Sequence, residues 1–235
     1  MTKRTELLPG VWLNTVQTDR FKTGCFSINL LRPLTMEDAS PNALLPSVLL
    51  RGCGGYPDMQ AISTRLDELY GSSVGTLVRK KGEVQTVGLY ADFLEDQYAG
   101  GAPLFRQVLD FVRQLIFDPC LEGEGFVGEY VDGERLNLSN AIASRINEKR
   151  AYAVPRLGEE QPLQMVTAEN LYARHRELLA NSKIELFYLG QQPQDAVEAV
   201  YGSCWPIFRT AAGSLSKQKR SGRPIRCSMP RKPWM

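Results

Sequence analysis

The stretch Pro41-Asn-Ala-Leu-Leu-Pro-Ser-Val-Leu-Leu-Arg-Gly-Cys-Gly-Gly-Tyr-Pro-Asp58 reads as an apolar helix followed by a glycine-rich turn. The run Leu44 to Leu50 supplies the helix, Arg51-Gly52 ends it, and Tyr56-Pro57-Asp58 leads into the next one. The spacing predicts a helix from Ala43 to Leu50, with Met36-Glu-Asp-Ala-Ser-Pro41 as a polar loop before it. Pro46 removes a backbone donor and crowds the preceding turn, which places it near the helix start or at a kink.

Working outward, Val11 to Thr18 and Phe21 to Leu31 read as a pair of strands turned at Thr18-Asp19-Arg20. In the second, Phe26, Ile28 and Leu30 alternate with Ser27, Asn29 and Leu31, the period of a half-buried strand. Downstream, Asp58 caps a helix whose Met59, Ile62, Leu66 and Leu69 share a face and which Gly71 stops. Ser72 to Arg79 and Val84 to Asp92 follow as strands joined through Lys80-Lys81-Gly82-Glu83. Gly100-Gly101-Ala-Pro103 then opens an apolar helix, with Leu104, Val108, Phe111, Val112 and Leu115 inward, that closes at Asp118-Pro119. Residues 123–161 read as mostly helical, Phe126, Tyr130, Leu138, Ile142 and Ile146 recurring near every fourth residue, with Gly125, Gly128 and Gly133 weakening the first half. Thr167 caps a helix carrying Leu171, His175, Leu178 and Leu179 on one face. Ile184 to Leu189 is a strand, and Pro193 sits in the first turn of a helix running to about Tyr201. The order β-β-α-α-β-β-α-α-α-β-α implies an α+β fold, a mostly antiparallel sheet with helices packed on one face.

A chain of 235 residues, 43% hydrophobic and 23% charged, can bury one sizeable core or two small ones. No apolar run reaches the roughly eighteen residues of a membrane span, and Met1-Thr-Lys-Arg-Thr-Glu6 has no apolar signal core behind it. A cytoplasmic protein without a membrane partner is expected. The cysteines at 25, 53, 120, 204 and 227 show no Cys-x-x-Cys spacing, which argues against a disulfide framework and a thiolate zinc site. The sequence has one histidine, His175, so no metal and no cofactor are expected. His175 reads as a packed or surface residue rather than a lone base. Ser47 has no histidine to activate it as a nucleophile. Gly52-Cys-Gly-Gly55 lacks the Gly-Lys-Ser/Thr of a phosphate loop and reads as a turn, with Cys53 a small packed residue.

Around Arg51-Gly52 the opening stretch resembles the zinc-site helix of the insulinase/pitrilysin (M16) peptidases, where His-x-x-Glu-His precedes an apolar triplet, a Lys or Arg, and a Gly. On that pattern Ala43 and Ser47 take the histidine positions and Pro46 the glutamate position. Two imidazoles at i and i+4 hold zinc and the glutamate takes a proton from its bound water. The resemblance therefore implies no catalytic residue and no metal ligand at Ala43, Pro46 or Ser47. Leu66-Asp-Glu-Leu-Tyr-Gly-Ser-Ser73, Phe117-Asp118-Pro119, Thr167-Ala-Glu-Asn-Leu171 and Ile184 to Gly190 extend the likeness over residues 5–208. The third zinc ligand of active relatives, a glutamate from a downstream helix, falls among Glu124, Glu129 and Glu134, in a register that sets Arg135 at the ligand position to within a residue or two.

Arg145-Ile-Asn-Glu-Lys-Arg-Ala-Tyr-Ala153 with Arg156 resembles the non-catalytic branch of the superfamily, bacterial proteins associated with aminopentanol modification of elongation factor P. The resemblance implies an inactive subunit that forms a heterodimer with a zinc-bearing M16-type homologue, or self-associates, around a peptide. A complete member has two such domains and this chain one, so a half-length version is expected, with an apolar face exposed where the sister domain would pack.

Residues 209–235 hold eight Lys/Arg and no acid, which leaves residues 1–208 at −6. The first 208 residues are expected to form the M16-like domain and the rest a basic tail. The tail reads as an anion-binding segment, as a solvated terminus, or as a frameshift product. Codons for Cys227 to Met235, read one base over, can spell Phe-His-Ala-Ala-Glu-Thr-Met-Asp, which resembles the opening of a second domain. Nucleic acid is the disfavoured partner. The alternatives to an inactive subunit are a zinc endopeptidase with unrecognised ligands and a binding module acting through the tail.

Overall fold

A computed structural model describes residues 2–144 and 154–203. In chain order the elements are β1 (Thr2–Leu8), β2 (Val11–Gln17), β3 (Thr23–Pro33), α1 (Met36–Leu49), α2 (Met59–Glu68), β4 (Ser73–Lys81) and β5 (Val84–Leu94). They continue with α3 (Leu104–Phe117), β6 (Leu121–Glu122), β7 (Gly125–Phe126), α4 (Gly128–Ala143), α5 (Glu160–Gln164), α6 (Ala168–Asn181), β8 (Lys183–Gly190) and a last helix, α7, over 194–203. Six strands form one sheet in the order β1-β2-β8-β3-β5-β4, and β6 and β7 form a separate short hairpin. The fold is α+β with a mostly antiparallel sheet, as the element order implies.

β2 and β3, which the sequence suggests as a pair, are not one. β8 lies between them, parallel to β2 with Leu13 opposite Leu186, and antiparallel to β3 with Ile28 also opposite Leu186. Neighbouring strands lie about 4.8 Å apart, so residues 18–22 must span twice that distance rather than turn a tight hairpin. β1, which the polar start concealed, pairs antiparallel with β2 along the sheet's outer edge. The β4–β5 hairpin is as expected. Lys81 pairs with Val84 across Gly82-Glu83, and Gly82 takes the positive φ (60°) that a two-residue hairpin turn requires at its first position.

Burial alternates along the strands, so one sheet face carries Leu13, Phe26, Ile28, Val87, Leu89 and Leu186 into the core. Against it packs α3, which buries Leu104, Phe105, Val108, Leu109, Phe111, Val112, Leu115 and Ile116. Phe105 meets Tyr188 and Phe93 with ring centroids 4.8 and 5.5 Å apart, closing an aromatic cluster at one end of the sheet. Burial of a side chain of this size contributes about 1.5–3 kcal/mol, so the expected inward stripe supplies much of the folding drive.

α1 starts earlier than the sequence suggested. Thr35 caps it by accepting a hydrogen bond from the Asp38 amide (3.1 Å), and Glu37 and Asp38 sit in its first turn, so residues 36–41 are helix and not a polar loop. Pro41 and Pro46 both lie inside it, and Pro46 is three residues from its end rather than near its start. Residues 121–126 are the β6–β7 hairpin rather than helix. Thr167 caps α6 as expected, with a reciprocal hydrogen bond from its own amide to Asn170. The open face of the sheet is mixed: Asn14, Ser27, Asn29, Asp92 and Glu185 stand there beside Tyr90 and Phe187. Ile146, the Arg145–Ala153 segment and the basic tail lie outside the described residues.

Two predictions follow from the packing. A Cβ at Gly88 would meet the Ile28 carbonyl oxygen at 1.9 Å, backbone that cannot step aside in the centre of the sheet. Gly88→Ala is expected to cost about 3 kcal/mol or more in urea unfolding, and a loss below about 0.5 kcal/mol would mean that β3 and β5 are less closely apposed. His175 is 2% exposed among Phe126 and Tyr172, and burial lowers its pKa to about 4, with the Ile116 carbonyl opposing weakly. Between pH 6.5 and 4 the unfolded chain therefore binds the proton more readily than the native one, so stability falls as pH drops through that window. From pH 7.5 to 5 the loss from this group is about 2 kcal/mol. Denaturant titrations should show that loss in the native chain and not in His175→Phe; equal pH slopes would remove His175 as the cause.

Candidate functional site

α1 and α4 meet beyond the β4 edge, and between them and the open face of the sheet lies a cavity of about 990 Å³. From α1 the cavity takes Ala43 and Ser47, one turn apart on the same side of the helix. From α4 it takes Glu134, Asn137, Leu138 and Ala141, a helical stripe at i, i+3, i+4 and i+7. Thr76, Leu77, Val78 and Arg79 of β4 form its middle, and Ser27, Asn29, Tyr90 and Asp92 its sheet side.

The charged group that α4 brings to the cavity is Glu134, and both of its oxygens are hydrogen-bonded. Arg51, just past the end of α1, places Nε and Nη2 each 2.5 Å from Glu134 Oε1, while Asn137 donates to Oε2 at 3.3 Å. The pair is partly buried, so the attraction is worth more than in a surface pair. Arg135 turns to the opposite side of α4, where it donates to the Val166 carbonyl (2.8 Å) and to Asp132 (2.6 Å). Of the two neighbours, Glu134 and not Arg135 lines the cavity with Ala43 and Ser47, one residue from the position that the resemblance gave to within a residue or two. The α4 stripe carried the signal, because counting back from Leu138 and Ala141 leads to Glu134. Glu124 and Glu129 are exposed and line no part of this cavity.

Of the three positions singled out in the sequence, two come together. Ala43 and Ser47 face the cavity, whereas Pro46 lines a small apolar void beside His175, Ile28 and Leu45 on the core side of α1. The site does not fit a zinc ion: the Ala43 methyl offers no lone pair, the Ser47 hydroxyl is a weak donor, and the Glu134 oxygens are held by Arg51 and Asn137. Among the described residues no three His, Cys, Asp or Glu side chains gather as a metal cluster. His175 is in the core, remote from the cavity lining, and Ser47 has no imidazole near it.

The sheet side is polar and largely self-satisfied. Glu185 receives hydrogen bonds from Arg4 (2.6 Å) and Asn14 (2.7 Å) and pairs with Lys183 (2.9 Å). Burial disfavours its charge, but the hydrogen bonds from Lys183, Asn14 and Arg4 outweigh that and hold the carboxyl below its ordinary range. Cys25 is half-buried at the cavity margin, and burial, then the Asp92 charge, pushes its thiol up, away from a reactive thiolate. Cys53 is fully buried and pairs its backbone with Tyr56 and Pro119, so the glycine turn is a structural knot with no phosphate cradle.

No family model matches the chain. It is 30% identical over 206 residues to the "Probable inactive metalloprotease YmfF" of Bacillus subtilis (strain 168), an alignment covering 81% of this chain and 48% of that protein. The chain thus spans about half the length of the curated relative it matches. Among solved structures, a conserved protein from Enterococcus faecalis V583 superposes with TM-score 0.80 at 25% identity, covering 86% of this chain and 52% of that one. A peptidase M16 inactive domain from Pseudomonas fluorescens gives TM-score 0.64 at 14% identity, with 87% and 50% covered. Pitrilysin gives 0.60 at 13%, with 86% and 22% covered; at these identities the last two show the fold alone. Among the described residues no helix is long and apolar enough to cross a membrane. The chain is thus similar to a protein named a probable inactive metalloprotease, has the fold of a peptidase M16 inactive domain and of pitrilysin, and holds no histidine pair in its sequence.

Proposed function

We propose that this chain is a non-enzymatic M16 homologue that pairs with a zinc-bearing homologue and forms one wall of a chamber for peptide. The domain is residues 1–208, and 209–235 is a separate basic tail. One observation carries the reading: the α1–α4 frame faces a large cavity, yet Ala43 and Ser47 offer it no ligands and Arg51 ties up the Glu134 carboxylate on the α4 side. The cavity supplies surface and a strand edge, β4, on which an extended peptide can add. A place in a system linked to elongation factor P modification is supported by the resemblance of 145–156 alone. Self-association is the outcome for a chain without its partner.

Capture of the full chain from its native cells should bring down an M16-type protein that carries His-x-x-Glu-His. Repeated capture with no such protein would count against the pairing. Elemental analysis of untagged chain is expected to show far less than one zinc per chain with or without added metal, and stoichiometric zinc would return the endopeptidase reading. The site assignment has its own test. Ala43→His with Ser47→His should create zinc uptake, and adding Glu134→Gln should weaken it by about tenfold or more, since Glu134 would be the third ligand. No uptake, or no effect of Glu134→Gln, would show that these positions do not converge as a metal site.

A further inference from the structure

The two edges of the sheet differ in how open they are. Residues 154–156 lie against β4, where the Val78 carbonyl accepts a hydrogen bond from Arg156 Nη1 at 3.2 Å and Lys80 Nζ stands 2.5 Å from the Val154 carbonyl. At the other edge Thr2, Lys3, Arg4 and Glu6 of β1 are all exposed. The bonds on the far side of β2 fix which backbone groups of β1 are free. The Ile184 amide donates to the Gly10 carbonyl (3.0 Å) and the Thr18 amide to the Gly190 carbonyl (2.8 Å), so the even-numbered residues of β2 turn toward β8, and Leu13 and Thr15 turn toward β1. Leu13 and Thr15 stand opposite Thr5 and Lys3, which leaves the backbone groups of Thr2, Arg4 and Glu6 pointing out from the sheet. Among the described residues those groups make no hydrogen bond.

An open edge is a template for another strand, and proteins commonly blunt it with charge. β1 is charged, but its pattern is complementary to its own reverse. The strand spans Thr2–Leu8, so Thr5 is its midpoint, and an antiparallel copy in full overlap sets Arg4 opposite Glu6 of the second copy and Glu6 opposite Arg4. These are positions whose backbone groups point outward, so each facing pair exchanges hydrogen bonds and carries its side chains on one face. Sliding the copy by two residues, the smallest step that keeps the hydrogen-bond parity, sets Arg4 against Arg4 in one direction and Glu6 against Glu6 in the other. The β1–β2 register shifts only after Glu6, beyond both charged positions. Arg4 is already held in place, with its guanidinium 4.1 Å from the Trp12 ring centroid and Nη2 2.6 Å from Glu185, yet its side chain is 45% exposed. Glu6 uses Oε1 to accept from the Gly10 amide (3.1 Å), and Oε2 has no partner among the described residues.

We propose that two copies of this chain join through β1, antiparallel about Thr5, into one continuous sheet. The two-fold axis then stands perpendicular to the sheet, so the open faces of both copies lie on the same side and the β4 edges remain at the far ends. The inference rests on the self-association given above, for which it names the surface, and it needs no zinc-bearing partner.

The test is sedimentation velocity of the full, untagged chain across a dilution series. At low salt the native chain should show a concentration-dependent dimer that weakens as salt is raised. Arg4→Glu alone and Glu6→Arg alone each set like charges opposite one another at both facing positions, and each should weaken the dimer about tenfold or more. Mixed together, the two variants should associate with each other about as tightly as native chains do, because every facing pair is again opposite in charge. Thr5→Cys should cross-link under mild oxidation, since the two Thr5 Cα atoms would face each other across the axis at about 4.5 Å, whereas Lys3→Cys, displaced along the strand, should not. A native chain that stays monomeric throughout overturns both the β1 surface and the self-association, and leaves the pairing with a zinc-bearing homologue standing. A dimer that both single variants keep at native strength, or equal cross-linking at the two cysteine positions, overturns the β1 surface alone. Failure of the mixed variants to associate overturns the facing of Arg4 and Glu6.

Discussion

The structure depends on a helix that is buried nearly all the way round. α1 presents nine buried residues out of fourteen and touches α4, α5, α6, β4 and β5, so it has almost no solvent face to define it. It also contains two prolines, each removing a helical donor at a cost of about 3 kcal/mol in an isolated helix interior. Such a segment cannot stand by propensity. It is held by packing and by a buried polar link: Asn42 donates to Gln85 (3.0 Å) and accepts from Arg174 (3.0 Å), which in turn pairs with Asp38 in the helix's first turn. Gln85 completes the link by donating to the Ala39 carbonyl at 2.9 Å. Removing one member would leave the others unpaired in a low-dielectric interior, which is where a hydrogen bond matters most.

That environment explains which parts of the fold were legible in the sequence. α3 and α6 each expose one face and bury the other, and Leu104 to Leu115 and Leu171 to Leu179 write that division at helical spacing. The β4–β5 hairpin was legible because Gly82 is the residue a tight turn demands. The start of α1 is not legible because a helix with no polar face leaves no amphipathic pattern, and Pro41 imitates a loop. β8 was recognised as a strand, but its insertion between β2 and β3 is invisible locally. The parallel pairing of Leu13 with Leu186 joins residues far apart in sequence, and only the closed core selects it. In the candidate site, the shared side of Ala43 and Ser47 follows from their i, i+4 spacing, whereas which α4 residue meets them is set across two loops and has no local anchor.

Arg51 and Glu134 show how such a site persists without its chemistry. A half-buried carboxylate facing Ala43 and Ser47 would be costly alone, since desolvation penalises the charge and neither side chain compensates it. Arg51 supplies the countercharge with its guanidinium, and Asn137 satisfies the second oxygen. The result is a neutral, hydrogen-bonded seam between α1 and α4 that keeps the two helices at their spacing. Losing one partner would leave an uncompensated charge, so the pair serves the packing of the two helices.

The same seam bears on the sheet edge. Gln85 is the point at which the two systems join, because its amide touches α1 through Ala39 and Asn42 and the 154–159 segment through Arg156. Ser40, one residue along α1, grips that segment again at Glu159, and the approach is so close that a Cβ at Gly158 would strike the Ser40 hydroxyl at 2.1 Å. The position of the covering segment on β4 is therefore set by the seating of α1, not by the edge itself. α1 therefore fixes two things at once, the spacing to α4 through Arg51 and Glu134 and, through Gln85 and Ser40, how much of the neighbouring strand edge residues 154–159 cover.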